Sequence, residues 1–397
     1  MTHVDPKTEG ATPAAGSYAA KTRAWIQANL TDELRTDRCL DPGATLQQKI
    51  DFEAAQHIGG LTGIMWPKDY GGHGLTVREH LEANREIGLS PMPNAVNSIG
   101  KELAGPIIMA VGREDQKRDL LPKILKMEHI WCQGFSEPGA GSDLAGLRTR
   151  AEKTADGWKV NGQKIWTSGA SKSQRCLLLA RSGKPEDRHK GLMLFAVPMD
   201  SPGIDVREIT SIDGARSFCE VFFNDVIVDD ANMLGSPDEG WAAATRVLSI
   251  ERATNRMYRS WRFQSEIDHL VMGCQSDNRT YKILRGYRRE LAQCRIDVEL
   301  LKGHVEALVD DLLDGKEIGP RGSFPKLFWS EAHQRFAQMA YEIVSRFPAD
   351  SNQALRDLKA RMEHIYLTGR AETIYAGTTE IQLDIIAKRI LKLKKAA

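Results

Sequence analysis

The feature that most limits what this chain can fold into is the spacing of its apolar residues, which changes twice. Between about 18 and 127, apolar residues recur every three or four positions, the spacing of amphipathic helices. Between about 130 and 235, short runs rich in β-branched and aromatic residues are separated by Gly, Pro, Asn or Asp, as in strands. From residue 239 onward the helical spacing returns. The sequence therefore predicts an α+β fold in which a β domain lies between two helical domains.

These changes divide the 397 residues into four parts. Residues 1–16 are mostly Thr, Pro, Gly, Ala and charged residues, and we predict a disordered tail there. We then expect an N-terminal helical domain at 17–129, a middle antiparallel β domain at 130–236 and a C-terminal helical bundle at 237–397. Six predicted strands with no helix between them favour an antiparallel barrel or sandwich in the middle domain.

The individual elements follow from the same patterns. Helices are predicted at 18–29, 46–59, 77–87, 100–111, 115–122, 240–273, 280–313, 325–347, 352–368 and 378–393. Strands are predicted at 158–161, 164–167, 175–180, 192–197, 204–209 and 219–228. The helix at 115–122 is expected to stop at its proline, because proline cannot donate a helical hydrogen bond.

Composition and charge exclude several classes of function. The chain has 41% apolar and 27% charged residues and a net charge of +1, so we expect a globular protein with neither a nucleic-acid nor a membrane partner. Its longest apolar runs, such as 191–198, are too short to span a bilayer. The N-terminus lacks the start of a secretory signal, and the six scattered cysteines lack metal-binding spacing. These points favour a cytoplasmic protein with reduced thiols and no metal site.

Two glycine-containing stretches point to a ligand. Gly134-Phe-Ser-Glu-Pro-Gly-Ala-Gly-Ser-Asp143 must be a tight loop, whose backbone N–H groups and two serine hydroxyls are free to bind a flat ligand. Asn161-Gly-Gln-Lys-Ile-Trp-Thr-Ser-Gly169 then reads as a turn and a strand that ends in an indole and two hydroxyls. Either stretch alone is also compatible with an ordinary surface turn. Together, and in this order, they resemble the flavin-binding signature of the acyl-CoA dehydrogenase family.

The resemblance covers nearly the whole chain. It includes Trp66-Pro-Lys-Asp-Tyr-Gly-Gly72, the helix that begins Gly240-Trp241, and Ile374-Tyr-Ala-Gly-Thr378, as well as the order of the three domains. It implies α,β-dehydrogenation of an acyl-CoA thioester, with FAD as cofactor and electron-transfer flavoprotein as electron acceptor. A carboxylate of the protein removes the α-proton, the flavin takes the β-hydrogen as hydride, and hydrogen-bond donors polarise the thioester carbonyl.

The resemblance also implies which residues form the site. The flavin contacts are Gln133, Gly134, Phe135, Ser136, Trp166, Thr167, Ser168 and Thr378, with Ser142 at the flavin or the CoA arm. The acyl-CoA contacts are Ser142, Arg252, Tyr375 and Gly377. Thr378 would face the flavin phosphates at a helix start, although plain helix capping explains a threonine there equally well.

The catalytic base is where this chain departs from most of the family. Most members carry glutamate in a Tyr-Glu-Gly-Thr motif, but here the motif is Tyr375-Ala-Gly-Thr378, and a methyl group cannot accept a proton. Either the activity is lost or the base comes from another position. In the family, the backbone N–H at this position binds the thioester oxygen together with a ribityl hydroxyl of the flavin. Ala376 keeps that N–H, so the resemblance implies a catalytic role for its backbone.

The helix predicted from Gly240 supplies a candidate base. Residues alternately three and four positions apart form a stripe along one face of this helix. They are Trp241, Ala244, Leu248, Glu251, Asn255 and Tyr258. A carboxylate on that stripe needs a partner or a function, yet Arg252 points about 100° away and Asn255, one turn on, is uncharged. Ser249-Ile-Glu-Arg-Ala253 resembles the Glu-Arg pair that carries the base in members acting on branched, long or bulky acyl groups. This implies Glu251 as the base, with a structural acid as the alternative.

A second departure concerns the subunit interface. Homotetrameric members bind the flavin pyrophosphate and adenine partly across it, through Arg-x-x-Phe, a further Gln, and Gln-x-x-Gly-Gly-x-Gly. The corresponding segments here, Cys274–Arg285 and Glu342–Ala349, lack these motifs. The chain therefore resembles one half of the α2β2 acyl-CoA dehydrogenases of bacterial steroid side-chain breakdown. The alternatives are a homo-oligomer in which Arg279 or Arg285 binds the phosphates, a silent scaffold subunit, and an acyl-CoA oxidase.

Overall fold

A computed structural model describes residues 16–37, 43–237, 239–251 and 257–393, so nearly all of the predicted tail lies outside the described residues. The described chain has the predicted order of a helical, a β and a second helical part. The N-terminal helices are α1 (Tyr18–Asn29), α2 (Leu46–Ile58), α3 (Val77–Leu89), α4 (Gly105–Val111), preceded by a π-helical turn (Gly100–Ala104), and α5 (Glu114–Leu125). No helix in these ranges is long and apolar enough to cross a membrane.

Helix α5 corrects one prediction, because it continues through Pro122 instead of stopping there. Proline removes the hydrogen bond to the carbonyl one turn earlier, which belongs to Arg118. Arg118 is exposed, so water can satisfy that carbonyl. Leu121 and Ile124, on either side of the proline, are fully buried. Their burial therefore outweighs the local cost of proline.

The middle part is one eight-stranded sheet. Its strands are β1 (Trp131–Gly134), β2 (Arg150–Thr154), β3 (Gly157–Ser168), β4 (Arg175–Arg181), β5 (Leu192–Pro198), β6 (Ile204–Ile209), β7 (Phe218–Val228) and β8 (Met233–Leu234). Their order is β6-β7-β3-β2-β4-β5-β8, with β1 beside β4. The pairings are antiparallel except for β1–β4 and β2–β4, which are parallel. The strands absent from the prediction (β1, β2 and β8) are short or polar, whereas the two strands predicted between 158 and 167 are one, β3.

The C-terminal part is a helical bundle. Its helices are α6 (Gly240–Glu251), α7 (Tyr258–Gln275), α8 (Asn278–Arg285), α9 (Arg288–Leu313), α10 (Ser323–Val344), α11 (Gln353–Gly369) and α12 (Thr379–Ile385), which a π-helical turn (Ile386–Ile390) continues. The helix predicted at 280–313 is divided, because Tyr287 (φ −107°, ψ 19°) leaves the helical conformation. Apolar residues of α7, α10 and α11 form the core of the bundle. Helix α6 instead packs between α4 and β5.

Candidate active site

The first predicted site element is the loop that leaves strand β1. A side chain at Gly134 would place its Cβ 2.9 Å from the buried Cys176 sulfur, so only glycine fits. The backbone of Glu137–Ala140 closes a tight turn through two N–H···O bonds of 3.0 Å. Ile165 N–H donates to the Ser136 carbonyl at 3.0 Å, which holds the loop beside strand β3. The sequence thus places the predicted loop and the predicted strand side by side.

A buried ion pair holds this loop from the inside. Lys164 is fully buried, and its Nζ donates to the Phe135 carbonyl at 3.0 Å and to Glu137 Oε1 at 2.8 Å. The Glu137 carboxylate also accepts the backbone N–H of Arg148 at 2.6 Å and of Thr149 at 2.8 Å. One carboxylate and one ammonium therefore join the start of the loop, its turn and the segment just before strand β2.

The charges of this pair are compatible with its burial. Burial alone would raise the pKa of Glu137, but the Lys164 ammonium and the N–H donors lower it below its ordinary value. Burial also lowers the pKa of Lys164, and the carboxylate opposes that shift. Removing one partner of a buried ion pair costs about 3–5 kcal/mol, because the other charge stays desolvated. The folded core therefore fixes the conformation of the loop.

Trp166 occupies an unusual position on strand β3. The pairing with β7 shifts register between Lys164 and Thr167, and Trp166 lies in that bulge with φ 58°. Its side chain is 57% exposed and touches the edge of Phe218 with 6.0 Å between ring centroids. A positive φ is costly for a bulky residue, and such strain concentrates at functional sites. The bulge therefore presents a large aromatic surface for which the described chain supplies little cover.

The second element is the turn between α11 and α12. Ala376 has φ 54° and Gly377 has φ 87°. The buried Gln382 donates from Nε2 to the carbonyls of Ala376 at 2.9 Å and Gly377 at 3.2 Å. A Cβ at Gly377 would lie 2.5 Å from the same nitrogen, so glycine is required there. Within the described ranges, the Ala376 N–H donates no hydrogen bond, so it is available to an external acceptor.

Thr378 follows this turn and is the N-cap of α12. Its hydroxyl accepts the N–H of Ile381 at 3.3 Å. Helix capping, one of the two roles expected for Thr378, is thus observed, and contact with the flavin phosphates stays a prediction. Tyr375, on the other side of the turn, is 37% exposed.

Comparison with known proteins identifies the family. Models of the N-terminal, middle and C-terminal domains of acyl-CoA dehydrogenases match residues 20–128, 132–226 and 238–391. The chain belongs to the acyl-CoA dehydrogenase family. Like its relatives, it is an FAD-dependent acyl-CoA dehydrogenase.

Individual relatives agree over the full length. Acyl-CoA dehydrogenase IpdE1 of Mycobacterium tuberculosis is 33% identical over 386 residues, which are 96% of this chain and 98% of the relative. The ChsE4-ChsE5 complex of Mycobacterium tuberculosis contains a chain with TM-score 0.79 and 26% identity, covering 96% of this chain and 97% of that one. A structure described as the Tcur3481-Tcur3483 steroid ACAD superposes with TM-score 0.81 at 24% identity, covering 95% and 97%. The last similarity concerns the fold alone.

The residues of the middle domain fit an FAD ring. The exposed Trp166 offers an aromatic face, and Ser136 and Ser168 are half-buried with hydroxyls that bond to no described residue. Thr167 is fully buried, and its hydroxyl also lacks a partner among the described residues. Ser142 is exposed at the far end of the loop, compatible with either of its expected roles.

Gln133 and Phe135 complete the predicted flavin contacts. Gln133 is half-buried in β1, opposite Leu177 of β4, and Phe135 is buried within the apolar core. The Phe135 side chain is therefore not available to a ligand. Contact of the flavin with the backbone at 133–136 stays a prediction.

Truncating Trp166 tests its place in the site. We expect Trp166→Ala to weaken flavin retention or shift the flavin absorption, because the stacking area is lost. The measurement is flavin content and visible spectrum after gel filtration, with Trp158→Phe as a matched change of a tryptophan that packs inside the sheet against Phe195. An unchanged spectrum and full flavin content in Trp166→Ala would show that this indole serves only the fold.

The predicted base, Glu251, lies next to a segment outside the described residues. Helix α6 ends at Glu251, whose side chain lies outside the described residues, as does all of Arg252. The first members of the predicted stripe behave as expected, since Ala244 is buried and Trp241 is half-buried. The catalytic role of Glu251 and the substrate contact of Arg252 stay predictions.

The structure brings the predicted residues together in two groups. The loop and strand β3 form one group, and the Ala376 turn with Thr378 forms the other. No hydrogen bond between described residues joins the two groups.

Three supporting residues were not predicted. Lys164 and Glu137 hold the loop at 134–143, and Gln382 holds the Ala376 turn. The sequence did carry a signal for Lys164. Side chains alternate between the two faces of a strand, so Lys164 lies on the same face of β3 as the buried Trp158 and Val160. Gln382 carried no such signal, since its role depends on the turn before its helix.

Proposed function

We propose that this chain is the base-bearing subunit of a heteromeric acyl-CoA dehydrogenase that acts on a bulky acyl-CoA, such as the thioester of a steroid side chain. The observation that carries the proposal is the Ala376 turn. It keeps, in a fixed conformation, an N–H that bonds to no described residue, while lacking the carboxylate that most members carry there. A chain that had lost its activity would have no reason to keep this donor in a conformation disfavoured for alanine.

The chemistry divides between three groups. The Ala376 N–H donates to the thioester oxygen, and this polarisation makes the α-C–H acidic enough to lose a proton. Glu251 accepts that proton, and its carboxylate becomes a carboxylic acid. Bound FAD supplies the acceptor for the β-hydrogen, which leaves as hydride, so that a double bond forms between the α and β carbons. The flavin loop and Trp166 orient the two reactants.

The size of the acyl group follows from the position of the base. With alanine at 376, the side of the site that usually carries a carboxylate holds only a methyl group. Family members with the base on the helix equivalent to α6 act on branched, long or bulky acyl groups, by the resemblance given above. These points support a bulky substrate. The resemblance to the acyl-CoA dehydrogenases of steroid side-chain breakdown makes a steroid side chain the first class to test.

The surface that would serve a neighbouring flavin supports the heteromer. In homotetrameric members, the Gln-x-x-Gly-Gly-x-Gly turn binds the neighbour's flavin, and Glu342 begins the corresponding segment here. Glu342 lines an open cavity of about 560 Å³. The charged residues that line this cavity are Glu290, Glu331, Glu342, Arg335 and Arg370. Arg335 already pairs with Asp297 at 3.0 Å, so the cavity is net acidic and disfavours a pyrophosphate.

The rival arrangement, a homomer with a new phosphate-binding arginine, has less support. Arg279 pairs with Asp350 at 2.8 Å and with Asp277 at 3.4 Å, so its charge is already compensated. Arg285 is exposed at the end of α8 and is the remaining candidate. The solved ChsE4-ChsE5 structure is itself a complex of two named chains.

Flavin stoichiometry distinguishes the two arrangements. Expressed alone, this chain is expected to retain well under one flavin per subunit, because a buried pyrophosphate without donors is costly. Expressed with a family member that keeps the trans motifs, it should form a tetramer with about two flavins. A stable homotetramer with one flavin per subunit and full activity would exclude the heteromer, and Arg285→Ala would then show whether that arginine binds the phosphates.

The dehydrogenase function is tested by flavin reduction. Acyl-CoA thioesters of straight, branched and steroid-like acids are mixed without oxygen with the chain, alone and with family members encoded nearby. We expect bleaching of the flavin absorption by bulky thioesters and reoxidation by electron-transfer flavoprotein. If no thioester reduces the flavin of any complex, the chain is a scaffold subunit, and rapid peroxide formation in air would make it an oxidase.

A further inference from the structure

A buried cluster of three charged side chains lies beside the Ala376 turn. His333 of α10 lies between Glu372, which precedes the turn, and Glu266 of α7. Its Nδ1 is 2.9 and 2.8 Å from the two Glu372 oxygens, and its Nε2 is 2.7 Å from Glu266 Oε2. All three residues are less than a tenth exposed. The cluster therefore ties two helices of the bundle to the segment that carries Ala376.

The charge state of the cluster favours tight binding. Burial alone would lower the pKa of His333, but the carboxylates of Glu372 and Glu266 raise it to about 10. Burial alone would raise the pKa of Glu266, but the attraction of the His333 imidazolium is larger and lowers the pKa of Glu266 below its ordinary value. The protonated His333 therefore lies between two carboxyl groups, and a hydrogen bond from an imidazolium to a carboxylate is charge-assisted.

Aromatic stacking extends the same contact to the turn. The Trp329 indole stacks on His333 with 5.6 Å between centroids and 15° between planes. The Arg259 guanidinium lies 3.9 Å from the centre of the Trp329 ring and 5.8 Å from that of Tyr375. Tyr375 is the residue directly before Ala376. The helices α7 and α10 thus contact the turn through a stack as well as through the ion cluster.

The neighbour of His333 holds the same segment by hydrogen bonds. Gln334 Nε2 donates to the Gly369 carbonyl at 2.8 Å, to the Arg370 carbonyl at 3.3 Å and to the Thr373 hydroxyl at 3.1 Å. Gln382 holds the carbonyls of Ala376 and Gly377 from the other side, as described above. Only Ile374 and Tyr375 lie between these two sets of bonds, so the fixed points closely limit the position of the Ala376 N–H.

Glu372 could also be considered as the missing base, since it is a buried carboxylate four residues before Ala376. Both of its oxygens lie within 2.9 Å of His333 Nδ1, however, so this carboxyl group is already held by the histidine. A base must be able to turn toward the α-proton of the substrate. Glu372 therefore has a structural role, and the proposed base remains Glu251 of α6.

We infer that His333 is a positioning residue for the dehydrogenation: by holding Glu372, it fixes the Ala376 turn so that its N–H meets the thioester carbonyl. The inference rests on the proposed role of Ala376 in the active site. Oxyanion donors act over a narrow range of distance, and a displacement of about 1 Å can reduce a rate by about a hundredfold. His333 would thus affect turnover without touching substrate or flavin.

The test compares His333→Gln and Glu372→Gln with the wild-type chain, each in the flavin-loaded enzyme. Glutamine in place of Glu372 can still accept a hydrogen bond from His333, so this variant is the milder one. His304→Gln is the control, because His304 is another histidine of the bundle, half-buried, and packs against Phe324. Each enzyme is assayed for flavin content, kcat and KM, and for the carbonyl stretching frequency of the bound enoyl-CoA product.

We expect His333→Gln to lower kcat by about ten- to a hundredfold with little change in KM or flavin content. The carbonyl stretch of the bound product should move toward its frequency in water, since polarisation by the N–H is weakened. Glu372→Gln should move both quantities in the same direction by a smaller amount, and it replaces the first variant if that one does not fold. The His304 control should leave them unchanged.

Two results would overturn the inference, and each is distinguishable from failure of the proposed function. An unchanged kcat and carbonyl frequency in both variants would show that the cluster only stabilises the bundle. A lower melting temperature with unchanged kinetics would lead to the same conclusion. If the wild-type enzyme itself shows no shifted carbonyl, the role of Ala376 is wrong, and with it the basis of this inference.

Discussion

Replacing Glu251 by glutamine is expected to lower turnover by two to three orders of magnitude or more while the flavin stays bound. The amide keeps the size of the side chain and can still hydrogen-bond, but it cannot accept the α-proton, and loss of a general base typically costs about 10²–10⁴-fold in rate. The measurement is the rate of flavin reduction in a single turnover, which isolates proton and hydride removal from product release.

Glu239→Gln provides a matched control for this variant. Glu239 lies immediately before helix α6, is exposed, and accepts the Ser236 N–H at 2.9 Å. It should therefore keep wild-type rates. A stronger test adds Ala376→Glu to Glu251→Gln, since this returns a carboxylate to the position that most family members use. Partial recovery of flavin reduction would show that the base can occupy either position. Near wild-type activity of Glu251→Gln alone would remove Glu251 from the mechanism.

Introducing proline at Ala376 is expected to abolish activity. Proline has no N–H, so the donor to the thioester carbonyl disappears. Its fixed φ of about −65° is also incompatible with the φ of 54° found at this residue, so the turn itself must move. Flavin content and circular dichroism are measured alongside flavin reduction, to show that the variant folds.

Two milder substitutions separate the N–H from the side chain. Ala376→Gly should keep activity, because glycine adopts a positive φ readily and retains the N–H. Ala376→Ser should also be tolerated, since the hydroxyl adds little volume and the backbone is unchanged. Turnover by a folded, flavin-loaded proline variant would mean that another group binds the thioester oxygen.

The fold was predictable from sequence where the spacing of apolar residues matches their burial in the structure. The helices α1, α2 and α11 and the strand β6 begin within a residue of their predicted starts, because their apolar spacing and their capping or turn residues mark the same boundary. The prediction failed where tertiary contacts override local preference. Pro122 lies inside α5 because burial on both sides holds the helix together, and β1 was missed because a four-residue strand has too little pattern to read.

The candidate site residues could be proposed from the sequence, but the residues that hold them in place could not. Motif resemblance indicated Ser136, Trp166 and Ala376, whose residue types are visible in the sequence. The bulge that exposes Trp166 depends on the register between β3 and β7, which no local pattern specifies. The contact of His333 with Glu372 spans 39 positions of sequence, and such pairs become visible only when the helices pack.

The ion pair of Lys164 and Glu137 has a consequence for how the cofactor arrives. Because this pair is buried, holds the loop at two points and ties it to Thr149, the loop acquires its shape when the chain folds, before any ligand is present. The ring end of the site is preorganised, and little conformational entropy is lost there on association. In the heteromer proposed above, the pyrophosphate end is completed only when a second subunit binds. Capture of FAD should therefore proceed in two kinetically separate stages, with rapid reversible docking of the ring followed by slow retention that tracks assembly.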